Sequence, residues 1–190
     1  MKKIALYLIP LGLFLGLIVF LYQGLFSDPR DHQSSLLKQP MPEFVLPDLM
    51  NIKQTYTQDV FLGEVTLLNV WGVWCITCAV ELPYLKQLQG EGKQIVGLYY
   101  DQDIDPDFGV KTVQRVQQEV TDMLAKLGNP YAYNIFDVKR NLSLDLGVTG
   151  APETYLIDQQ GKIRLHHVGD LNPRVWNKKF ATLYNTLTTP

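Results

Sequence analysis

The chain contains two cysteines, Cys75 and Cys78, and the intervening Ile76 and Thr77 give them C-x-x-C spacing. Side chains three apart on a helix share a face, so the two sulfurs can meet across one turn. If that turn opens a helix, its unpaired N–H groups and the positive end of the macrodipole stabilise a thiolate, the reactive form in thiol–disulfide exchange. Position then separates the roles. Cys75, at the helix start, is expected to be the exposed nucleophile; Cys78, one turn inside, is expected to be more buried and to resolve the mixed disulfide. Other chemistries fit less well. A zinc site needs four ligands, and beyond the thiols only the histidines His32, His166 and His167 are available. His166 and His167 are neighbours on one expected strand and point to opposite faces, so no metal is expected. A purely structural disulfide would close too small a loop to constrain the unfolded chain much.

The elements around the pair are those that would position it. Residues 65–70 are a short apolar, β-rich run of the kind buried on both faces of a sheet, and they lead directly into Trp71-Gly72-Val73-Trp74-Cys75. Over 78–88 the leucines Leu82, Leu85 and Leu88 fall at helical spacing, with Gly90 and Gly92 as stop signals. Further strands are expected over 94–100, 132–136, 153–157 and 162–168, the last two joined by a turn at Gln159-Gln160-Gly161. Helices are expected over 111–127 and from Asn172-Pro173, where Asn is a good N-cap and Pro a good first helical residue. Alternating strands and helices make the class α/β with a central mixed sheet.

Three segments are expected. Residues 1–26 read as an N-terminal signal anchor, because 4–26 carries no charge and is long enough as a helix to cross the hydrocarbon layer. The run exceeds the apolar core of an ordinary signal peptide and no A-x-A-like site follows it. Lys2 and Lys3 precede it, while Asp28, Arg30 and Asp31 follow, so the positive-inside bias places the N-terminus in the cytoplasm and the remainder outside. Residues 27–40 read as a polar tether and 41–190 as one domain. With 17 basic and 19 acidic side chains and a net charge of −2, the chain offers no broad attraction for nucleic acid.

Beyond C-x-x-C, the chain carries Trp-x-x-Trp before Cys75, the motif Gly147-Val148-Thr149-Gly150-Ala151-Pro152-Glu153-Thr154, and Gly169-Asp170-Leu171-Asn172-Pro173-Arg174-Val175-Trp176. Together these resemble the DsbE/CcmG family of thiol:disulfide interchange proteins, of thioredoxin-like fold and used in cytochrome c maturation. The resemblance runs from the anchor to about Trp176. It implies a cis-proline at Pro152 beside the disulfide, with Ala151 and its neighbours receiving extended substrate chain, and acidic residues near the redox centre at Glu81 and Glu153. Trp74, Ile76 and Thr77 would flank and tune the thiols. Ile76 stands where many relatives have proline, and since the intervening dipeptide influences thiol pKa, the family's potential is not carried over to this chain.

The resemblance further implies a periplasm-facing protein-disulfide reductase anchored in the inner membrane. Its target would be the haem-attachment cysteines of apocytochrome c, met directly or through an escort thiol protein. Electrons would come from a transmembrane thiol reductase of the DsbD/CcdA kind, with no cofactor. Alternatives are a TlpA/ResA-like reductant of another envelope protein and a copper-binding module using two cysteines and a histidine, although such modules usually have C-x-x-x-C. A peroxiredoxin-like peroxidase is disfavoured by the close spacing of the two cysteines. The acidic run from Asp101 to Asp107 is not an EF-hand, since Pro106 and Thr112 stand where Gly and Glu are required.

Overall fold

In the computed structural model of the chain, residues 2–25, 36–101 and 111–189 are described, with the side chains of the first helix described over 9–23. Most of the expected tether and the acidic residues 102–110 therefore lie outside the described residues, as does His32. The chain divides into two compact units, Met1–His32 and Gln33–Pro190. The first contains helix α1, Lys2–Leu25, with Pro10 inside it. Among the described residues no helix is long and apolar enough to cross a membrane.

The second unit is built on a five-stranded sheet in the order β5-β4-β3-β6-β7. Its strands are β3 (Thr66–Trp71), β4 (Gln94–Tyr99), β5 (Asn134–Phe136), β6 (Glu153–Ile157) and β7 (Ile163–Val168). β3 pairs parallel with β4, and β4 with β5, whereas β6 runs antiparallel to β3 and β7 antiparallel to β6. Every residue of β3 is buried, as its unbroken apolar sequence requires of a central strand. Alternation along the strands divides the core in two. Leu67, Trp71, Ile95, Tyr99 and Leu156 face one layer, while Leu68, Val70, Val96, Leu98 and Tyr155 face the other.

The first layer is closed by α2 (Ile76–Gly90), by α3 (Val113–Leu127), and by a C-terminal run of α5 (Pro173–Val175), a π-helical turn (Trp176–Phe180) and α6 (Ala181–Thr188). The second is closed by α4 (Asn141–Asp145) and by residues around Phe44 and Phe61. Helix α3 starts two residues later than its sequence suggests, because Thr112 caps it, its hydroxyl accepting from Arg115 N–H at 3.3 Å. Likewise Asn172 caps α5 by accepting from Val175 N–H at 3.0 Å. A small antiparallel pair, β1 (Val45–Pro47) and β2 (Thr55–Thr57), was not visible in the sequence, each strand being only three residues long.

Candidate active site

The chain leaves β3 at Trp71 and turns through Gly72, whose carbonyl accepts from Cys75 N–H at 3.1 Å. A Cβ at Gly72 would run into the Trp74 indole, so only glycine lets that ring fold back over the turn. The indole is held by its N–H, which donates to Tyr100 O at 2.9 Å, and by the Tyr100 ring 5.1 Å away. Cys75 then caps α2, its sulfur accepting from Cys78 N–H at 3.0 Å. This is the helix-start placement expected of a thiolate.

Cys75 and Cys78 are joined by a disulfide. Cys78 is fully buried, but Cys75 keeps only 5% of its surface, which corrects the expectation of an openly exposed nucleophile. Trp74 and Ala151 pack against the cluster that holds both cysteines, and they leave only a narrow approach to the outer sulfur. Ile76 by contrast is 84% exposed, and Thr77 is exposed beside it, so the dipeptide between the cysteines forms the rim of the site. The peptide bond joining Ala151 to Pro152 is cis. Its Ala151 carbonyl lies 3.4 Å from Cys75 Sγ, where it can accept from the thiol once the disulfide is reduced.

Glu81, one turn beyond Cys78 on the same face of α2, is buried. It accepts from Asn69 Nδ2 at 2.9 Å and from Leu171 N–H at 2.8 Å. Asn69 in turn accepts from the Tyr131 hydroxyl at 2.7 Å and donates to Thr154 Oγ1 at 3.2 Å. Burial is the dominant influence and pushes the Glu81 carboxyl up to about 8; the two hydrogen bonds oppose it only in part, and Asp170 adds to the rise. A carboxyl that exchanges its proton near neutrality thus lies behind the resolving cysteine.

Glu153 occupies a different environment. It pairs with Val70 in register and belongs to the opposite face of the sheet from Asn69 and Thr154, so the two acids do not converge. Its oxygens accept from Thr149 N–H at 2.8 Å, Thr149 Oγ1 at 2.7 Å and Gly150 N–H at 3.0 Å, and one lies 2.7 Å from His166 Nε2. Burial raises its pKa, but the bonds from His166 and Thr149 outweigh burial and hold the carboxyl below its ordinary 4.5. Glu153 is therefore ionised and ties down the loop that carries Ala151 and Pro152. Its geometry is that of a brace, whereas Glu81 has the setting of a proton carrier.

Sequence reasoning did not single out Asn69, Tyr131 or Tyr100. The signal for Asn69 was present: a polar residue inside a strand buried on both faces must find partners, and here it finds three. Tyr100 carries no such mark, because its role depends on which strand ends lie together. Among the described residues, no three His, Cys, Asp or Glu side chains group to hold a metal.

Comparison with known proteins agrees with this geometry. The Redoxin family model matches residues 37–187. Thiol:disulfide interchange protein DsbE of Escherichia coli K12 is 43% identical over 183 residues, covering 93% of this chain and 92% of that protein. DsbE of Pseudomonas aeruginosa PAO1 is 41% identical over 185 residues, covering 97% and 96%. Among solved structures, one assigned to a DsbE of Chlorobium tepidum matches with TM-score 0.59 and 25% identity, covering 79% of this chain and 95% of that one. The thio-disulfide isomerase of Thermus thermophilus, at 18% identity, TM-score 0.55 and 77% and 95% coverage, shares the fold.

Proposed function

The chain belongs to the Redoxin family and to the DsbE thiol:disulfide interchange proteins, and from that premise we propose that this thiol–disulfide oxidoreductase reduces the haem-attachment cysteines of an apocytochrome c, directly or through an escort thiol protein. The observation that carries the chemistry is the setting of Cys75. Its sulfur caps α2 with Cys78 N–H at 3.0 Å, has the Ala151 carbonyl at 3.4 Å, and is the only one of the pair with any accessible surface.

In the reduced form the Cys75 thiolate attacks one sulfur of the target disulfide. The target S–S bond breaks and its leaving thiolate takes a proton. Cys78 then loses its proton and attacks Cys75 Sγ in the mixed disulfide, releasing the second target thiol. Two electrons and two protons pass from the dithiol to the target, and Cys75 and Cys78 end as the disulfide. Glu81, one turn from Cys78 with its carboxyl near 8, holds its proton in most molecules at neutral pH, and in its ionised form it is placed to accept the Cys78 proton in the second step. Glu153 and its donors hold the loop against which the target chain lies.

The cytochrome c target is supported by the order and spacing of the motifs around Trp74, Pro152 and Asn172. A periplasmic site is supported by the uncharged run over 4–26, flanked by Lys2 and Lys3 on its N-terminal side. In this reading the uncharged run over 4–26 anchors the chain in the inner membrane. An oxidising compartment then requires electrons from within, supplied by a transmembrane thiol reductase of the DsbD/CcdA kind. The test is capture in cells with Cys78→Ala, which leaves the mixed disulfide unresolved. Recovery of an apocytochrome or its escort supports the target; recovery of unrelated envelope proteins alone removes it and favours a TlpA/ResA-like reductant.

A further inference from the structure

The sheet topology gathers more at the redox edge than the two cysteines. Strands β3, β4 and β5 are parallel, so Cys75, Tyr100 and Arg140 all follow carboxyl ends on one edge of the sheet. β6 runs the other way and begins at that edge, immediately after the cis Ala151–Pro152 bond. Open sheets with parallel strands bind ligands at this edge. From the β5 end, its order is Arg140, Tyr100, the Cys75–Cys78 site, Pro152 and, past β7, Asp170.

Arg140 is held there in an unusual way. Its backbone is left-handed, with φ 59° and ψ 19°, a conformation uncommon for a residue with a side chain. Its guanidinium carbon stands 4.4 Å from the centre of the Tyr100 ring, and that ring is the one against which Trp74 packs. A guanidinium covered on one face by an aromatic ring keeps its in-plane N–H groups free for a carboxylate.

No acid among the described residues takes up those donors. Arg140 Nε is buried without a hydrogen-bond partner. Asp137, on the same turn, turns one oxygen to Ser143 N–H and Oγ, both at 2.7 Å, and forms no ion pair with Arg140. Its other oxygen is buried without a partner, and three further acids among the described residues of this edge are matched or buried. Glu153 is matched by His166, Asp101 lies 3.9 Å from Lys111 Nζ, and Glu81 is buried with its carboxyl near 8. The exposed Lys139 adds a second cation beside Arg140, and Asp170 stands at the far end.

We propose that Arg140 is a specificity-determining residue. Its guanidinium receives a carboxylate of the polypeptide whose disulfide Cys75 attacks, and so orients that polypeptide with an acidic side chain toward the β5 end. The inference rests on the exchange reading above. The test uses the reduced full chain in mild detergent and three synthetic peptides that share one internal C-x-x-C disulfide, flanked by Asp, Asn or Lys. Each reduction rate is divided by that for hydroxyethyl disulfide, which is small and uncharged.

The wild-type chain should favour the Asp peptide over the Asn peptide by about threefold to tenfold at low salt, with the Lys peptide slowest. Arg140→Gln should bring the three normalised rates together, Arg140→Glu should invert their order, and Arg140→Lys should restore part of the preference. Equal normalised rates in the wild type, or a preference that survives Arg140→Gln, overturns the proposal. If the wild-type chain fails to react with hydroxyethyl disulfide at all, it is the exchange reading beneath it that falls.

Discussion

Glu81→Gln tests the buried carboxyl by its effect on stability against pH. Folding raises the Glu81 pKa from 4.5 to about 8, mainly through burial. Below 4.5 the carboxyl is protonated in both the folded and unfolded chain, and its titration contributes nothing. Between 4.5 and about 8 the unfolded chain gives up the proton and the folded chain keeps it, so stability falls as pH rises. At about 1.4 kcal/mol per pH unit, the loss across that interval is roughly 5 kcal/mol. Glutamine abolishes the slope but introduces a mismatch. Asn69 Nδ2 and Leu171 N–H both donate to the carboxyl, and the amide can accept at only one end, which costs about 1–3 kcal/mol at every pH. The variant should therefore be the less stable protein near pH 5 and the more stable one near pH 8. Urea unfolding of both oxidised proteins at closely spaced pH values measures the difference directly. Stability profiles that run parallel across this range would refute the argument for a neutral buried Glu81.

Other substitutions probe the neighbouring parts. Gly72→Ala forces a Cβ into the Trp74 indole; it should cost about 1–3 kcal/mol in urea unfolding and lower the rate of exchange with hydroxyethyl disulfide. Asn69→Ala strips Glu81 of one donor and leaves the Tyr131 hydroxyl without its acceptor; a loss of about 2–4 kcal/mol is expected. Because the Asn69 bond lowers the Glu81 pKa, the same variant should move the Glu81 inflection in the pH profile of exchange upward. Glu153→Gln acts on the acid side. The folded Glu153 pKa lies below 4.5, so its contribution is complete above that value and is lost as pH falls through the folded pKa. The variant should be less stable at neutral pH by roughly 3 kcal/mol and show a shallower acid limb, read by unfolding between pH 2 and 7.

What could be read from the sequence was what depends on local pattern. β6 spans the residues that the apolar run at 153–157 suggests, and the C-x-x-C pair opens α2 directly after β3, because strand periodicity, capping and helix start signals are short-range. What escaped depends on register and on distant partners. Glu81 and Glu153 looked equivalent as acids near the redox centre, yet strand parity puts Glu153 on the other face of the sheet, where His166 and the Thr149 loop claim it. His166 was considered as a metal ligand; it stacks on Tyr155 and completes the Glu153 brace through the β6–β7 pairing. Arg140 gave no sequence signal, since its nearness to Tyr100 arises only when β5 and β4 align their ends. Cys75 was read as open because a helix start usually is, but the fold-back of Trp74 and the close Ala151 narrow its approach.

The central claim is that Cys75 attacks and Cys78 resolves. Its most direct test is to mix the reduced single-cysteine chains, Cys78→Ala and Cys75→Ala, with one peptide disulfide and to follow the adducts by peptide mapping. The account predicts rapid, lasting attachment of the peptide to Cys75 in the first chain and little attachment to the fully buried Cys78 in the second. Equal attachment to both cysteines, or faster attachment to Cys78, would contradict it.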